Sequence, residues 1–215
     1  MENLQEKGSA DTKARILDAA EKLIFEHGAE KTSLRMITAE ADVNLAAINY
    51  HFGSKDLLVD AVLVRYVRPI IDSQLARLER AEAAAGVSGP SLNNIIRSYL
   101  IPLMEFVEQN PHHCELFVKM GKPFKDVNRI RNWFTELHKP LSQRFGEALL
   151  RALPHVPRET VLVRMALMMN TAGAFFHTWQ LENIEHAYNL SVGQGKLLEY
   201  MVAFISAGLR GNSEG

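Results

Sequence analysis

The chain has only one cysteine, Cys114, among its 215 residues. This count excludes an intrachain disulfide and is typical of a protein kept in a reducing cytoplasm. The 13 glycines and 8 prolines are scattered, which excludes collagen-like and low-complexity classes. Long apolar runs are missing, and the N-terminal residues MENLQEKGSAD lack the apolar centre of a signal peptide. We therefore expect a cytoplasmic protein without a membrane-spanning segment.

An excess of positive charge is also missing. The chain has 24 Lys and Arg against 25 Asp and Glu, and residues 1–55 contain seven basic and nine acidic side chains. A surface for nucleic acid would therefore have to come from a few well-placed cations and polar groups. Apolar residues are plentiful at 47%, which is the share expected of a globular protein with a sizeable core.

Apolar residues recur at the spacing of amphipathic helices along the chain. In residues 11–27 this pattern follows a capping signal at Ser9 or Asp11, and no stretch shows the alternation of a β-strand. The sequence predicts an all-α fold of about nine helices, with a small head over residues 9–54 and a larger body over 55–211. The helices predicted for the body cover residues 55–82 (bent or broken at Pro69), 91–109, 112–120, 126–153, 157–186 and 194–209.

Capping signals divide the head into three short helices. Gly28 ends the first, residues 32–33 begin the second, and Asn44 begins a third that Gly53 ends. Only residues 42–43 separate the second helix from the third. Short helices joined by so tight a turn are typical of a helix-turn-helix, in which the last two helices cross at a steep angle.

The stretch TSLRMITAEADVNLAAINYHFGSKDLLVDAV, residues 32–62, is the most specific pattern in the chain. It resembles the DNA-binding head of the TetR family of bacterial repressors. The positions that carry the resemblance are Thr32-Ser33, Ile37, Ala41, Val43, Tyr50-His51-Phe52 and Gly53-Ser54-Lys55. The resemblance covers about residues 11–62. It implies that the recognition helix is residues 44–52 and that it binds in the major groove of duplex DNA.

The chain departs from the usual family pattern at three places in this stretch. Asp42 stands where a glycine is common, and aspartate tolerates the left-handed backbone of a tight turn. Asn44-Leu45 replaces a more common polar-basic pair, and Asn49 replaces a frequent tyrosine. These departures bear on base preference and not on the mode of docking.

Each predicted DNA contact has a chemical reason. Helix N-termini, hydroxyls and ammonium groups suit phosphate oxygens, arginine suits guanine, and asparagine suits adenine. The resemblance assigns phosphate contacts to Tyr50 and Lys55, whereas Ile48 and Phe52 face the core. The complete predicted set is Thr32, Ser33, Arg35, Asn44, Ala46, Ala47, Asn49, Tyr50, His51 and Lys55.

The body is predicted to provide a dimer interface and a ligand pocket. The resemblance implies a homodimer through the last two long helices, and residues 161–180 are apolar on more than one face, as a doubly buried helix requires. A second candidate surface includes Tyr200 and Phe204. The pocket would bind a small hydrophobic effector, acyl or aromatic. Its candidate lining residues are Met104, Phe117, Trp133, Phe134, Leu137, Met168, Asn170, Phe176 and His177.

The resemblance thus predicts a repressor that an effector releases from a palindromic double-stranded DNA operator, with no catalytic residue, metal or cofactor. The sequence has neither a nucleophile elbow nor a phosphate-binding glycine loop, which argues against an enzyme. Two alternatives stay open. One is a metal-responsive regulator, suggested by residues 112–115 (HHCE), although consecutive helical residues point in different directions and seldom share one ion. The other is a helical adaptor without DNA affinity.

Overall fold

The computed structural model describes residues 2–110, 127–173 and 179–211, and their side chains over 8–110, 135–172 and 184–211. Within these ranges the chain forms nine α-helices and no strand, which confirms the all-α class. The helices are α1 (Glu2–His27), α2 (Leu34–Ala41), α3 (Leu45–Phe52), α4 (Lys55–Ala85), α5 (Leu92–Gln109), α6 (Val127–Ala152), α7 (Arg158–Gly173), α8 (Trp179–Tyr188) and α9 (Gln194–Arg210). The helix predicted over 112–120 lies outside the described residues.

Two predicted helix boundaries are wrong. Helix α1 runs without a break from Glu2, because residues 2–7 are mostly good helix formers and the Ser9 and Asp11 backbones remain helical instead of capping. Helix α4 continues through Pro69 to Ala85. A proline inside a helix removes one N–H donor, but flanking residues that pack well can hold the helix together across it.

The described residues form two compact units that divide inside α4. The first contains α1 to α3 and α4 as far as Arg68, and the second contains α4 from Pro69, α5, α6 from Arg131, and α7 to α9. The first half of α4 therefore packs with the head. The functional boundary predicted at residue 54 stays a prediction.

The core of the first unit is made by the apolar stripe of each helix. Each buried isoleucine or leucine contributes roughly 1.5–3 kcal/mol relative to an exposed one, so these few side chains stabilise three short helices that would not persist alone. The core residues include Ile16, Ala20, Ile24, Ile37, Ala41, Ile48, Phe52, Leu58 and Val62.

In the second unit, α4 is tied to α5 and α6 by polar contacts. The buried amide of Gln74 donates to the Tyr99 carbonyl at 2.8 Å. Near the end of α4, the Glu82 carboxylate pairs with the guanidinium groups of Arg144 and Arg151 on α6, at 2.6 and 2.5 Å. The second half of α4 is therefore tied to both of these neighbouring helices by polar contacts.

Helix α9 packs against α5 and α7. Its buried positions are Val202, Ile205, Ser206 and Leu209. None of the described helices combines the length and the apolarity that a membrane crossing requires.

Candidate DNA interface

Helix α3 has one buried and one exposed face. Ile48 and Phe52 are 0% and 8% exposed, and because they lie one turn apart they anchor the same side of the helix in the core. The other face forms a continuous strip of surface. It carries Leu45, Ala46, Asn49 and Tyr50, all of them exposed. A helix held this way can present four side chains to a groove of duplex DNA without rearranging.

Side-chain caps fix where α2 and α3 begin. The Ser33 hydroxyl accepts a hydrogen bond from the Met36 N–H at 3.2 Å, and the Asn44 Oδ1 accepts one from the Ala47 N–H at 2.9 Å. Each cap satisfies one of the free N–H groups at a helix start and is worth about 1 kcal/mol. The caps predicted at Ser33 and Asn44 are confirmed.

Asp42 forms the turn between α2 and α3. Its φ of 49° and ψ of 54° lie in the left-handed region, which aspartate adopts more readily than most residues, so the predicted backbone conformation is confirmed. The Arg15 guanidinium from α1 donates to the carbonyls of Ala41 and Asp42 at 2.5 and 2.7 Å. Arg15 thereby occupies the otherwise free carbonyls at the end of α2 and holds the turn against α1.

Thr32, predicted as a phosphate contact, has no polar atom at the surface. The residue is 0% exposed, and its hydroxyl donates to the carbonyls of Leu23 and Gly28 at 3.1 and 2.9 Å. Its backbone N–H donates to Gly28 as well. The structure therefore corrects the role of Thr32, whose side chain holds the end of α1 against the start of α2. The neighbouring Ser33 is exposed.

The basic residues of the head divide into two groups. Arg15 donates to the carbonyls of the turn between α2 and α3, and Lys22 forms an ion pair with Glu40 at 2.7 Å. The hydrogen bond to Glu40 and the charge of that carboxylate raise the pKa of Lys22. Among the described side chains of residues 8–55, Lys31 and Arg35 have neither an ion pair nor a hydrogen bond.

Lys13 and Lys55 make only weak contacts within the head. The Lys13 ammonium lies over the Phe52 ring, 5.9 Å from its centroid, and the Lys55 ammonium donates to the Glu30 carbonyl at 3.4 Å. Neither contact neutralises the charge of the lysine. Four cations of the head thus remain available to an anion although its net charge is negative.

Three residues that the sequence did not single out share the surface with the predicted contacts. Lys31 is exposed two positions before Ser33, Lys13 lies beside the end of α3, and Leu45 is half exposed on the α3 strip. The sequence shows that Lys31 adjoins the α2 cap. It cannot show which lysines form ion pairs, because those pairs join residues far apart in the chain.

The structure describes the side chains of four of the predicted ligand-binding residues. Leu137 is buried in the core, Met104 is half buried, and the Asn170 side chain is exposed and bonds its own helix at the Ala166 carbonyl. Met168 lines a cavity of about 310 Å³ between α7 and α9. Phe117, Phe176 and His177 lie outside the described residues, and the side chains of Trp133 and Phe134 are not described.

The fold and this surface define the class: a helix-turn-helix protein whose third helix has one exposed face. Residues 16–62 match the family described as bacterial regulatory proteins of the tetR family, and residues 97–208 match a tetracyclin repressor-like C-terminal domain. The second match alone covers more than half of the chain. The chain belongs to the TetR family of bacterial regulatory proteins, which are DNA-binding transcriptional regulators and not enzymes.

Relatives with known names agree with this membership. An HTH-type transcriptional repressor of Mycobacterium tuberculosis is 40% identical over 115 residues, which span 51% of this chain and 58% of that protein. The nicotine-responsive repressor HdnoR of Paenarthrobacter nicotinovorans is 26% identical over 119 residues, 50% of this chain and 60% of that one. The chain therefore matches little more than half the length of these relatives.

Solved structures share the fold at low identity. A TetR-family transcription regulator from Shewanella sp. PV-4 superposes with a TM-score of 0.61 and 16% identity, covering 90% of this chain and 95% of that chain. Another TetR-family regulator, from Streptomyces coelicolor, gives a TM-score of 0.60 at 18% identity, with 94% and 95% covered.

Proposed function

We propose that this protein is a cytoplasmic transcriptional repressor that binds a palindromic operator as a homodimer and is released from it by a small hydrophobic ligand. The observation that carries the proposal is the α3 strip, because a helix anchored by Ile48 and Phe52 offers Ala46, Asn49 and Tyr50 to a groove. Two relatives are named transcriptional repressors, one of them nicotine-responsive, which favours repression under ligand control.

In the proposed complex, the α3 strip reads bases. Asn49 pairs with adenine, and the methyl groups of Ala46, Ala47 and Leu45 contact thymine methyls. Arg35, exposed on α2, reads guanine through its two-pronged guanidinium. The half-buried His51 contacts the Tyr50 ring edge to face, with 5.0 Å between the ring centroids. This contact orients the exposed phenol toward a phosphate.

Phosphate contacts come from the surface around the strip. Ser33, Tyr50 and Lys55 serve as predicted from the sequence, Asn44 contributes from the start of α3, and Thr32 supports Ser33 from within the core. Contacts of this kind set register and orientation, whereas base contacts give specificity. Lys31 is added because it is exposed near Ser33 and has no partner among the described side chains.

The homodimer forms through the exposed apolar surfaces of α7 and α9. Leu167 on α7 and Phe204 on α9 are 61% and 70% exposed, and both line the cavity between these helices. Val163 and Tyr200 extend the same surfaces. Apolar side chains of this size on two packed helices are typical of an interface that a second subunit covers. Dimerisation then sets two α3 helices at the spacing of two half-sites, about 34–36 Å or a multiple of it.

Selection of bound sequences from a random duplex library tests the proposal. A repressor of this type should enrich a palindrome, whereas a helical adaptor without DNA affinity would enrich nothing. Tyr50→Phe and Lys55→Ala should each weaken binding to the selected operator about uniformly across sequences and reduce its salt dependence. If neither the affinity nor the salt slope changes, the phosphate roles are wrong. Lys22→Ala is the matched control, because its ammonium is already paired with Glu40.

A further inference from the structure

A groove of about 650 Å³ lies between α6 and α7. Residues three or four positions apart on each helix line it, so one face of α6 and one face of α7 form its walls. The volume is within the range of small-molecule sites.

The groove face of α7 is distinct from the proposed dimer face. Leu162, Met165 and Met169 line the groove, whereas Val163 and Leu167 belong to the exposed surface. Successive residues turn by 100° around a helix, which places these two sets on different sides. A ligand in the groove therefore does not compete with a second subunit.

The floor of the groove is apolar and adaptable. It is formed by Leu162, Met165 and Met169 of α7 and by Leu150 of α6. Opposite them, Gly146 has no side chain, and a Cβ there would lie 3.4 Å from the Leu162 Cδ2 and 3.7 Å from the Met165 sulfur. The missing side chain therefore leaves the space beside Leu162 and Met165 open. Methionine side chains can adjust to a flexible apolar chain.

The polar rim of the groove carries an excess of positive charge. Lys139 and Arg158 line it, and neither has an ion-pair partner in the described part of the chain. Glu147 supplies a single carboxylate. Two cations against one anion favour a negatively charged group on the ligand, and the planar guanidinium of Arg158 suits a carboxylate in particular.

We propose that this groove binds an aliphatic carboxylate, with its chain along Leu162, Met165 and Met169 and its carboxylate at Arg158. The inference rests on the proposed ligand-responsive function and names the chemical class of that ligand. Apolar burial supplies most of the affinity, because a solvent-exposed ion pair contributes little by itself. The charge then selects a carboxylate over an alcohol or an amine of the same length.

Helix α6 also offers a route from the groove to α4. On α6, Arg144 directly follows the groove residue Gln143, and Arg151 directly follows the groove residue Leu150. Both arginines form ion pairs with Glu82 of α4. Occupancy that shifts α6 must move these guanidinium groups or break their contacts. The ligand thereby acts on the helix that continues into the head.

Titration calorimetry of the full-length protein without DNA tests the ligand class, with decanoate as the probe and 1-decanol and decylamine as matched comparisons. We expect decanoate to bind more tightly than either. Arg158→Gln should weaken decanoate binding about two- to fivefold and leave decanol binding unchanged, which is the effect of losing one solvent-exposed ion pair. Glu147→Gln is the control, because it removes a negative charge from the rim; it should leave the affinity for decanoate unchanged or higher.

A substitution at the rim tests the location. Gln143 is exposed and lines the groove, so Gln143→Trp should fill the groove without disturbing the core and reduce decanoate binding at least tenfold. The proposal is overturned if decanol or decylamine binds as well as decanoate, if Arg158→Gln has no effect, or if Gln143→Trp binds normally. Because no DNA is present, these outcomes are independent of whether the protein proves to be a repressor.

Discussion

Replacing Thr32 by valine separates a structural role from a DNA-binding role. Valine keeps the shape of threonine and removes only the buried hydroxyl, which donates to the Leu23 and Gly28 carbonyls. A hydroxyl has one proton, so the two acceptors share what amounts to one hydrogen bond. Its loss should lower the free energy of unfolding by about 1 kcal/mol, the usual contribution of one hydrogen bond, because the Gly28 carbonyl still accepts from the Thr32 N–H. Thr32→Ser keeps the donor and should recover most of this loss.

The measurements are denaturant unfolding followed by circular dichroism, at fixed protein concentration because dimerisation contributes to stability, and operator binding as a function of salt. We expect Thr32→Val to shift the unfolding midpoint while leaving the salt slope of DNA binding as in the wild type. Ser33→Ala is the contrasting variant, since it removes both an exposed cap worth about 1 kcal/mol and a proposed phosphate contact. A Thr32→Val protein of normal stability with a reduced salt slope would refute this assignment.

Three further predictions concern the other surfaces. Lys31→Ala should reduce the salt slope of operator binding by about 0.9, which corresponds to the loss of one phosphate contact. The control Lys22→Ala should leave the slope unchanged. An unchanged slope for Lys31→Ala would show that Lys31 does not contact DNA. Phe204→Asp should convert the dimer to a monomer in sedimentation velocity, because it places a charge in an apolar interface. Tyr188→Asp, which also changes an exposed aromatic residue, should leave the dimer intact. If the two variants behave alike, the α7–α9 surface is not the dimer interface. Glu82→Gln should leave decanoate binding to the groove unchanged but weaken the release of operator by decanoate, and normal release would exclude the α6–α4 route.

Much of the head could be predicted from the sequence because its determinants are local. A cap bonds a residue three positions away, as Asn44 does with the Ala47 N–H, and an apolar stripe is read directly from spacing. The left-handed turn at Asp42 follows from the short link between α2 and α3, which is residues 42–44. The same local reasoning failed at Ser9 and Asp11, because a capping residue has no effect where the backbone continues in a helix.

The α3 strip shows where local information ends. The sequence by itself determined that residues 44–52 form a helix with Ile48 and Phe52 inward, since helix periodicity and capping act within a few residues. Only the tertiary structure decided that Thr32 is buried between the end of α1 and the start of α2, that Lys22 forms an ion pair with Glu40, and that Lys31 has no ion-pair partner among the described side chains. It also decided that the groove lies between α6 and α7. The physical reason is the same in each case: burial and ion pairing depend on which distant helices pack together.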